Sequence, residues 1–309
     1  MTTTATTATD RYPTRTPRPA APVPRSHPVV WPGGPPGPVA AADLACYDRN
    51  GYVVVPGLLT AIEVAALRDE LARLADDPGP DVDPRVVREK RSGAVRSIFQ
   101  VHRMSPLIAE LLLDPRVLDR ARQILGSDVY VHQSRINCMP GFVGKGFFWH
   151  SDFETWHAED GLPAPRAVSM SLALCENLSY NGGLLLIPGS HRTFVPCTGE
   201  TPADHYRDSL REQEIGVPAQ ADIARLAERH GIRQFTGPAG DALWFDANIL
   251  HGSGSNITPL PRSNLFVVFN SVDNAAGEPF AAPARRPEYV AERDCTPLRR
   301  PEEGDRGPG

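Results

Sequence analysis

The feature that most restricts the fold is a change of hydrophobic period near Val129. Before it, apolar residues recur at helical spacing. Thr60 with Glu63 three positions later forms a capping box, and Val64, Leu67, Leu71 and Leu74 share one face before Asp76-Asp77-Pro78-Gly79 ends the pattern. A second helical stretch covers Pro106 to Leu125, interrupted near Pro115 and closed by Gly126. From Val129 the period is two. The runs Val129 to Ile136 and Val168 to Leu174 alternate apolar with polar or small residues, as strands with two different faces do. Shorter strands are predicted at Leu184 to Ile187, Ala242 to Phe245 and Leu265 to Asn270, with turns at Asn181-Gly-Gly183, Pro188-Gly189 and Gly237-Pro238. The run Gly51 to Pro56 predicts one earlier strand, and Ala221 to His230 a helix between the later ones. Helices first and many short strands afterwards predict a mainly β fold with flanking helices, a double-stranded β-helix or jelly roll of cupin-like type.

Composition sets the ends of that domain. Ten of the thirty-two prolines fall within residues 1–40, where apolar periodicity is absent, so this stretch is expected to be a proline-rich disordered extension. Residues 41–283 then form one domain, and 284–309 a C-terminal tail that frays beyond a first docked stretch. A net charge of -5 carries no footprint for a nucleic acid backbone, and no apolar run approaches the length that crosses a bilayer. Cys46, Cys138, Cys175, Cys197 and Cys295 are an odd number without metal-type spacing, which suits reduced thiols in a cytoplasmic protein.

The densest polar and aromatic cluster is Phe147 to His157, directly after the glycine-rich turn Gly141 to Gly146. If the segment is extended, His150 and Asp152 point the same way and can converge on one ion. A His-x-Asp pair alone is weak and needs a third ligand. His251 offers it, following the strand Ala242 to Phe245 and opening the turn His251-Gly-Ser-Gly254. Two imidazoles and one carboxylate make the facial triad of non-haem Fe(II) oxygenases, with three positions left for other ligands. His157 is the main rival, yet it lies five residues beyond Asp152. Arg262, eleven residues after His251 with Ser253 between, supplies a guanidinium fork that suits the distal carboxylate of 2-oxoglutarate. Trp149 reads as core, Phe245 as ambiguous between chamber and packing, and Thr198 to Pro218 as a cover over the site.

The run Phe148-Trp-His-Ser-Asp-Phe-Glu-Thr-Trp-His-Ala-Glu-Asp-Gly161 resembles the signature of the ectoine hydroxylases, a branch of the phytanoyl-CoA dioxygenase-like Fe(II)/2-oxoglutarate enzymes. The likeness continues through Gln133 to Asn137, Tyr180 to Gly183, Pro188 to Pro196 and Gln234 to Gly240, and covers roughly residues 45 to 280. Cys138, Met170 and the proline-rich front depart from it. The resemblance implies iron at His150, Asp152 and His251, and 2-oxoglutarate at Arg262 and Ser253 with contacts from Phe147, Asn137 and Ser169. It implies ectoine against Trp156 and Phe266, with polar contacts from Gln133, Thr155 and Asn264, and Arg285 or Arg286 as a possible clasp on the ectoine carboxylate.

That division is chemically coherent, because ectoine is a zwitterion whose delocalised amidinium gains from an aromatic face while its carboxylate needs donors or a cation. The activity implied is hydroxylation of ectoine to 5-hydroxyectoine with O2, 2-oxoglutarate being converted to succinate and CO2. Homodimer formation and a role in compatible-solute synthesis under stress are family-level expectations. The rivals are a related hydroxylase acting on another small zwitterion such as proline, and a cupin-like module that binds without turnover. A halogenase is disfavoured because Asp152 fills the position that halide would need.

Overall fold

The computed structural model of the protein describes residues 10–76, 83–89, 92–210 and 215–301. A short strand β1 (Val23–Pro24) precedes helix α1 (Ala41–Asn50), strand β2 (Tyr52–Val55) and helix α2 (Ala61–Ala75). Strands β3 (Val86–Arg88) and β4 (Val95–Phe99) lead into helices α3 (Val101–Met104), α4 (Pro106–Leu113) and α5 (Pro115–Leu125). The capping box at Thr60 is present, its hydroxyl accepting from the Glu63 N–H while Glu63 Oε2 accepts from the Thr60 N–H. Asp77 to Gly79 of the expected stop lie outside the described residues. Pro115 divides the second helical stretch because its ring cannot continue α4 yet suits the first position of α5.

The period-two region gives β5 (Val129–Met139), β6 (Phe147–His150), the helical turn α6 (Asp152–Thr155) running into a π-helical turn at Trp156–Asp160, then β7 (Ala167–Ala173), β8 (Leu184–Leu186) and β9 (Thr193–Phe194). Helices α7 (Tyr206–Ser209) and α8 (Gln220–His230) separate these from β10 (Arg233–Gln234), β11 (Ala242–Asp246), β12 (His251–Ser253) and β13 (Arg262–Ser271). A seven-stranded antiparallel sheet in the order β2-β11-β7-β13-β5-β4-β3 faces a four-stranded sheet in the order β10-β8-β12-β6, as a jelly roll requires.

Alternation decides what each face of the large sheet does. Val168, Met170, Leu172, Trp244, Leu265, Val267 and Phe269 point outward and bury against α2, α4 and α5 in the main core. Leu243, Phe245 and Phe266 point inward, packing with Leu184, Leu186 and Ile249 between the sheets. Phe245 is therefore a chamber residue. Trp149 packs, half-buried, beside Ile187, Val195, Leu226 and Leu250, in agreement with the core reading.

The expectation for residues 1–40 is corrected from Asp10 onward. Tyr12 is buried against Phe153, Phe194 and His157, β1 pairs with β9, and Arg25 donates to both oxygens of Asp246 at 2.8 Å. Proline frequency hid this, because the docked residues are isolated anchors on an extended strap and show no period. The other end docks as well: Arg286, Val290, Ala291 and Glu292 are buried. A chain beginning at Ala40 is accordingly expected to yield little folded protein. It would leave Asp246 and Glu154 buried without Arg25 and Arg15, and breaking a buried pair costs about 3 to 5 kcal/mol, set against a total stability of about 5 to 15 kcal/mol. Soluble yield and thermal melting of the truncated chain test this, and a melt matching the full chain would refute it.

Candidate active site

The inner faces of the two sheets bring the candidate residues together by register. On the large sheet, Asn137 pairs with Asn264 and Gln133 with Val268, Ser169 lies opposite both Val268 and Phe245, and Arg135 pairs with Phe266. On the small sheet, His150 pairs with His251. Because cross-strand partners project to the same side, these residues face one chamber.

Asp152 joins the two histidines by a route the sequence reading had wrong. The strand ends at His150. Ser151 caps the next turn through its hydroxyl and the Glu154 N–H, and Asp152 occupies the first helical position. The change of direction at Ser151, and not period-two alternation, turns the carboxylate toward the imidazoles. Asp152 Oδ1 lies 3.6 Å from His150 Nε2 and Oδ2 lies 3.8 Å from His251 Nε2. The three ligand atoms fall within 4.8 Å of one another, and no other such group of three occurs among the described residues.

Backbone carbonyls fix the imidazole tautomers. His150 Nδ1 meets the Phe148 carbonyl at 2.7 Å and His251 Nδ1 the Ile249 carbonyl at 3.1 Å. A carbonyl only accepts, so each Nδ1 carries a proton, and Nε2 is the nitrogen each ring turns toward Asp152 for a metal. Burial, then the neighbouring His150, pushes the His251 pKa down to about 4, which keeps that ring neutral at physiological pH. Burial alone would raise the Asp152 pKa, but His251, His150 and Arg135 hold it well below the carboxylate range. Two imidazole nitrogens and one carboxylate oxygen within reach of one point fit Fe(II). His157 is excluded as a rival, since its nitrogens are engaged by the Leu162 carbonyl at 2.7 Å and Asp10 at 3.0 Å.

Arg262 is buried, and its guanidinium has no carboxylate partner among the described residues; Met139 Sδ stands 3.9 Å from Nη2. Burial pushes its pKa down to about 10. An uncompensated interior cation is costly, so its retention indicates an anion that arrives from outside. Nearby, Ser253 Oγ accepts from the Phe147 N–H at 3.1 Å and keeps its own proton for donation. Ser169 Oγ and Asn264 Oδ1 are buried without hydrogen-bond partners among the described residues. Asn137 is occupied by the Ser97 hydroxyl at 2.9 Å.

Gln133, Thr155 and Trp156 line a cavity together with His150, Asp152 and Phe147. Trp156 is buried, with its ring edge-on to His132 at 5.3 Å. Ser209 and Leu210 close one side, in keeping with the cover expected at Thr198 to Pro218. Arg286 also reaches the cavity, held by Asp160 at 2.8 Å, whereas Arg285 points to Glu278 outside it. The sequence reading missed Arg135, whose guanidinium lies 5.4 Å from the Phe266 ring and lines the same cavity. Period two could have found it, since it stands between Gln133 and Asn137 on one face.

The family model described as Phytanoyl-CoA dioxygenase (PhyH) matches residues 47–264. A protein of Nocardia farcinica described as ectoine dioxygenase is 60% identical over 289 residues, covering 94% of this chain and 95% of that protein. One of Streptomyces coelicolor with the same description is 56% identical over 301 residues, covering 97% and 100%. A crystal structure of EctD from S. alaskensis with 2-oxoglutarate and 5-hydroxyectoine superposes with a TM-score of 0.83 at 44% identity, covering 92% of this chain and 95% of that one. Another from the same source holds Fe and gives 0.82 over the same shares.

Proposed function

The chain belongs to the phytanoyl-CoA dioxygenase family, and we propose that it hydroxylates ectoine to 5-hydroxyectoine, with O2 and 2-oxoglutarate consumed and succinate and CO2 released. The observation that carries this reading is a complete two-histidine, one-carboxylate set together with the buried Arg262, which lies on the inward-facing register of β13 with Asn264 and Phe266 and has no carboxylate partner among the described residues. Binding alone would not require a buried receptor for a second carboxylate.

Iron bound at His150, Asp152 and His251 supplies the redox chemistry that activates O2. The chain's own residues do the rest. Arg262 binds the distal carboxylate of 2-oxoglutarate as a fork, with the Ser253 hydroxyl as a further donor and Phe147, Asn137 and Ser169 alongside. Trp156 and Phe266 offer ring faces to the ectoine amidinium, and Gln133, Thr155 and Asn264 offer polar contacts. The 198–210 segment and the buried stretch about Val290 exclude water. In support of the latter, the Val290 carbonyl accepts from Gln133 Nε2 at 2.6 Å, so the C-terminal segment walls the cavity.

A homodimeric, cytoplasmic enzyme of compatible-solute synthesis under osmotic stress completes the proposal. Among the described residues no helix is long and apolar enough to cross a membrane. The deciding assay measures succinate and hydroxyectoine with Fe(II), 2-oxoglutarate and ectoine, beside proline and a substrate-free control. Succinate that rises with proline and not with ectoine would move the chain to another zwitterion.

Trp156→Ala is expected to lose about 1 to 2 kcal/mol or more of ectoine binding through lost cation-π attraction and contact area. Its 2-oxoglutarate requirement should stay unchanged and succinate should form in excess over hydroxyectoine. Ectoine affinity and product ratio at wild-type levels, with only a lower melting temperature, would make Trp156 a packing residue.

A further inference from the structure

Glu154 sits on α6 between Asp152 and Thr155, and its carboxylate is completely buried. A carboxylate in that position needs a cation and donors. The N-terminal strap brings both: Arg15 donates through Nε to Oε1 at 2.6 Å and through Nη2 to Oε2 at 2.9 Å, and the Thr14 hydroxyl donates to Oε1 at 2.6 Å. Arg15 Nη2 also reaches Glu159 Oε1 at 3.1 Å, in the π-helical turn. One guanidinium thus grips the chain on both sides of Trp156. Glu159 in turn lines the cavity with Trp156 and Arg286.

The cover segment meets the same ion pair. Arg15 Nη1 donates to Thr201 Oγ1 at 3.2 Å. At Gly216, with φ +80°, an added Cβ would stand 2.5 Å from Arg15 Nη2 and 2.9 Å from Glu154 Oε2, so only glycine lets this backbone lie so close. Arg15 itself has φ 54°, a left-handed conformation that a non-glycine residue keeps where its surroundings over-determine it.

We propose that Arg15 is a positioning residue for substrate: through Glu154 and Glu159 it fixes the turn that presents Thr155 and Trp156 to the cavity and ties the cover segment to that turn. The inference rests on the hydroxylase reading for its substrate and on packing for its mechanism. Arg262 belongs to β13, where it pairs with Met139, and its role does not depend on this cluster.

The test uses full-length Arg15→Gln and the double variant Arg15→Gln/Glu154→Gln. Arg15→Gln is expected to raise the half-saturating ectoine concentration at least about tenfold and to lower hydroxyectoine formed per succinate. The half-saturation for 2-oxoglutarate should stay within about twofold of wild type. The double variant removes the charge stranded on Glu154 but not that on Glu159, so its melting temperature should recover in part while the raised ectoine requirement persists, because two amides cannot reproduce the charged fork. In metal-free protein, trypsin should cut after the exposed Arg207 faster in Arg15→Gln than in wild type.

Wild-type ectoine half-saturation and coupling in either variant would overturn the proposal, as would unchanged cleavage at Arg207. Recovery of melting temperature and ectoine constants together in the double variant would reduce Arg15 to a stability role and also overturn it. Failure of Arg15→Gln to fold leaves the double variant to decide on the same readings. If wild type turns over no ectoine, the functional reading falls while the Arg207 cleavage still reports on the tie.

Discussion

Asp152→Ala is expected to abolish hydroxylation, lowering turnover by on the order of 10^3-fold or more at saturating Fe(II). Losing a residue that merely supports a metal ligand typically costs about 10 to 100-fold, and Asp152 is the single anion in the ligand set. His150→Ala and His251→Ala should behave alike. The fold should persist in each, because Ser151, whose hydroxyl caps α6, is untouched and the β6–β12 pairing is made by backbone. Hydroxyectoine formation measured beside circular dichroism gives the answer. Near-normal turnover in any one variant would remove that residue from the set.

Arg262→Leu should move affinity and stability in opposite directions. Truncating one side of a buried charged pair costs about 2 to 5 kcal/mol, which corresponds to a rise of roughly 30-fold to several thousand-fold in the 2-oxoglutarate requirement. In the protein without co-substrate, however, the cation has no carboxylate partner among the described residues, and replacing it with a packed apolar residue removes a desolvation cost. The melting temperature without 2-oxoglutarate should therefore rise, and the stabilisation that added 2-oxoglutarate confers on wild type should vanish. A lower melting temperature together with an unchanged co-substrate requirement would make Arg262 a structural residue.

The parts of this molecule that were legible in the sequence are those written in a period. The capping box at Thr60, the proline break at 115 and the two-faced strands from Val129 all appear where expected. The inner-face residues Gln133, Asn137, Ser169, Asn264 and Phe266 were named from the family resemblance; alternation places them on one face together with Arg135, which that rule could have delivered. The three candidate ligands were picked out by residue type and do lie together, yet the route that brings Asp152 to the histidines was misjudged. Whether Asp152 continues a strand or opens a turn depends on the cap that Ser151 forms in three dimensions. The N-terminal strap was illegible for a related reason. Tyr12, Arg15 and Arg25 each find a partner from a distant part of the chain, and a lone anchor in a proline-rich stretch looks the same as a solvated residue until its partner is known. Helix α1 and strands β3 and β4 are short and lack strong punctuation, and they too passed unseen.

Strand β6 lies at the edge of the small sheet, held on one side by β12 and carrying the exposed Phe148. Its register against β12 shifts between His251 and Ser253, the kind of irregularity that weakens a ladder locally. His150 belongs to this edge strand and His251 to its neighbour, so an ion shared by the two rivets the rim of the sheet to its interior. Bound iron would then serve as a cross-link between two strands as well as a reagent. Without it the backbone ladder still holds β6 in the sheet, and the rim that carries Phe148 is left with its hydrogen bonds alone, at an edge where the small sheet could pair with another chain.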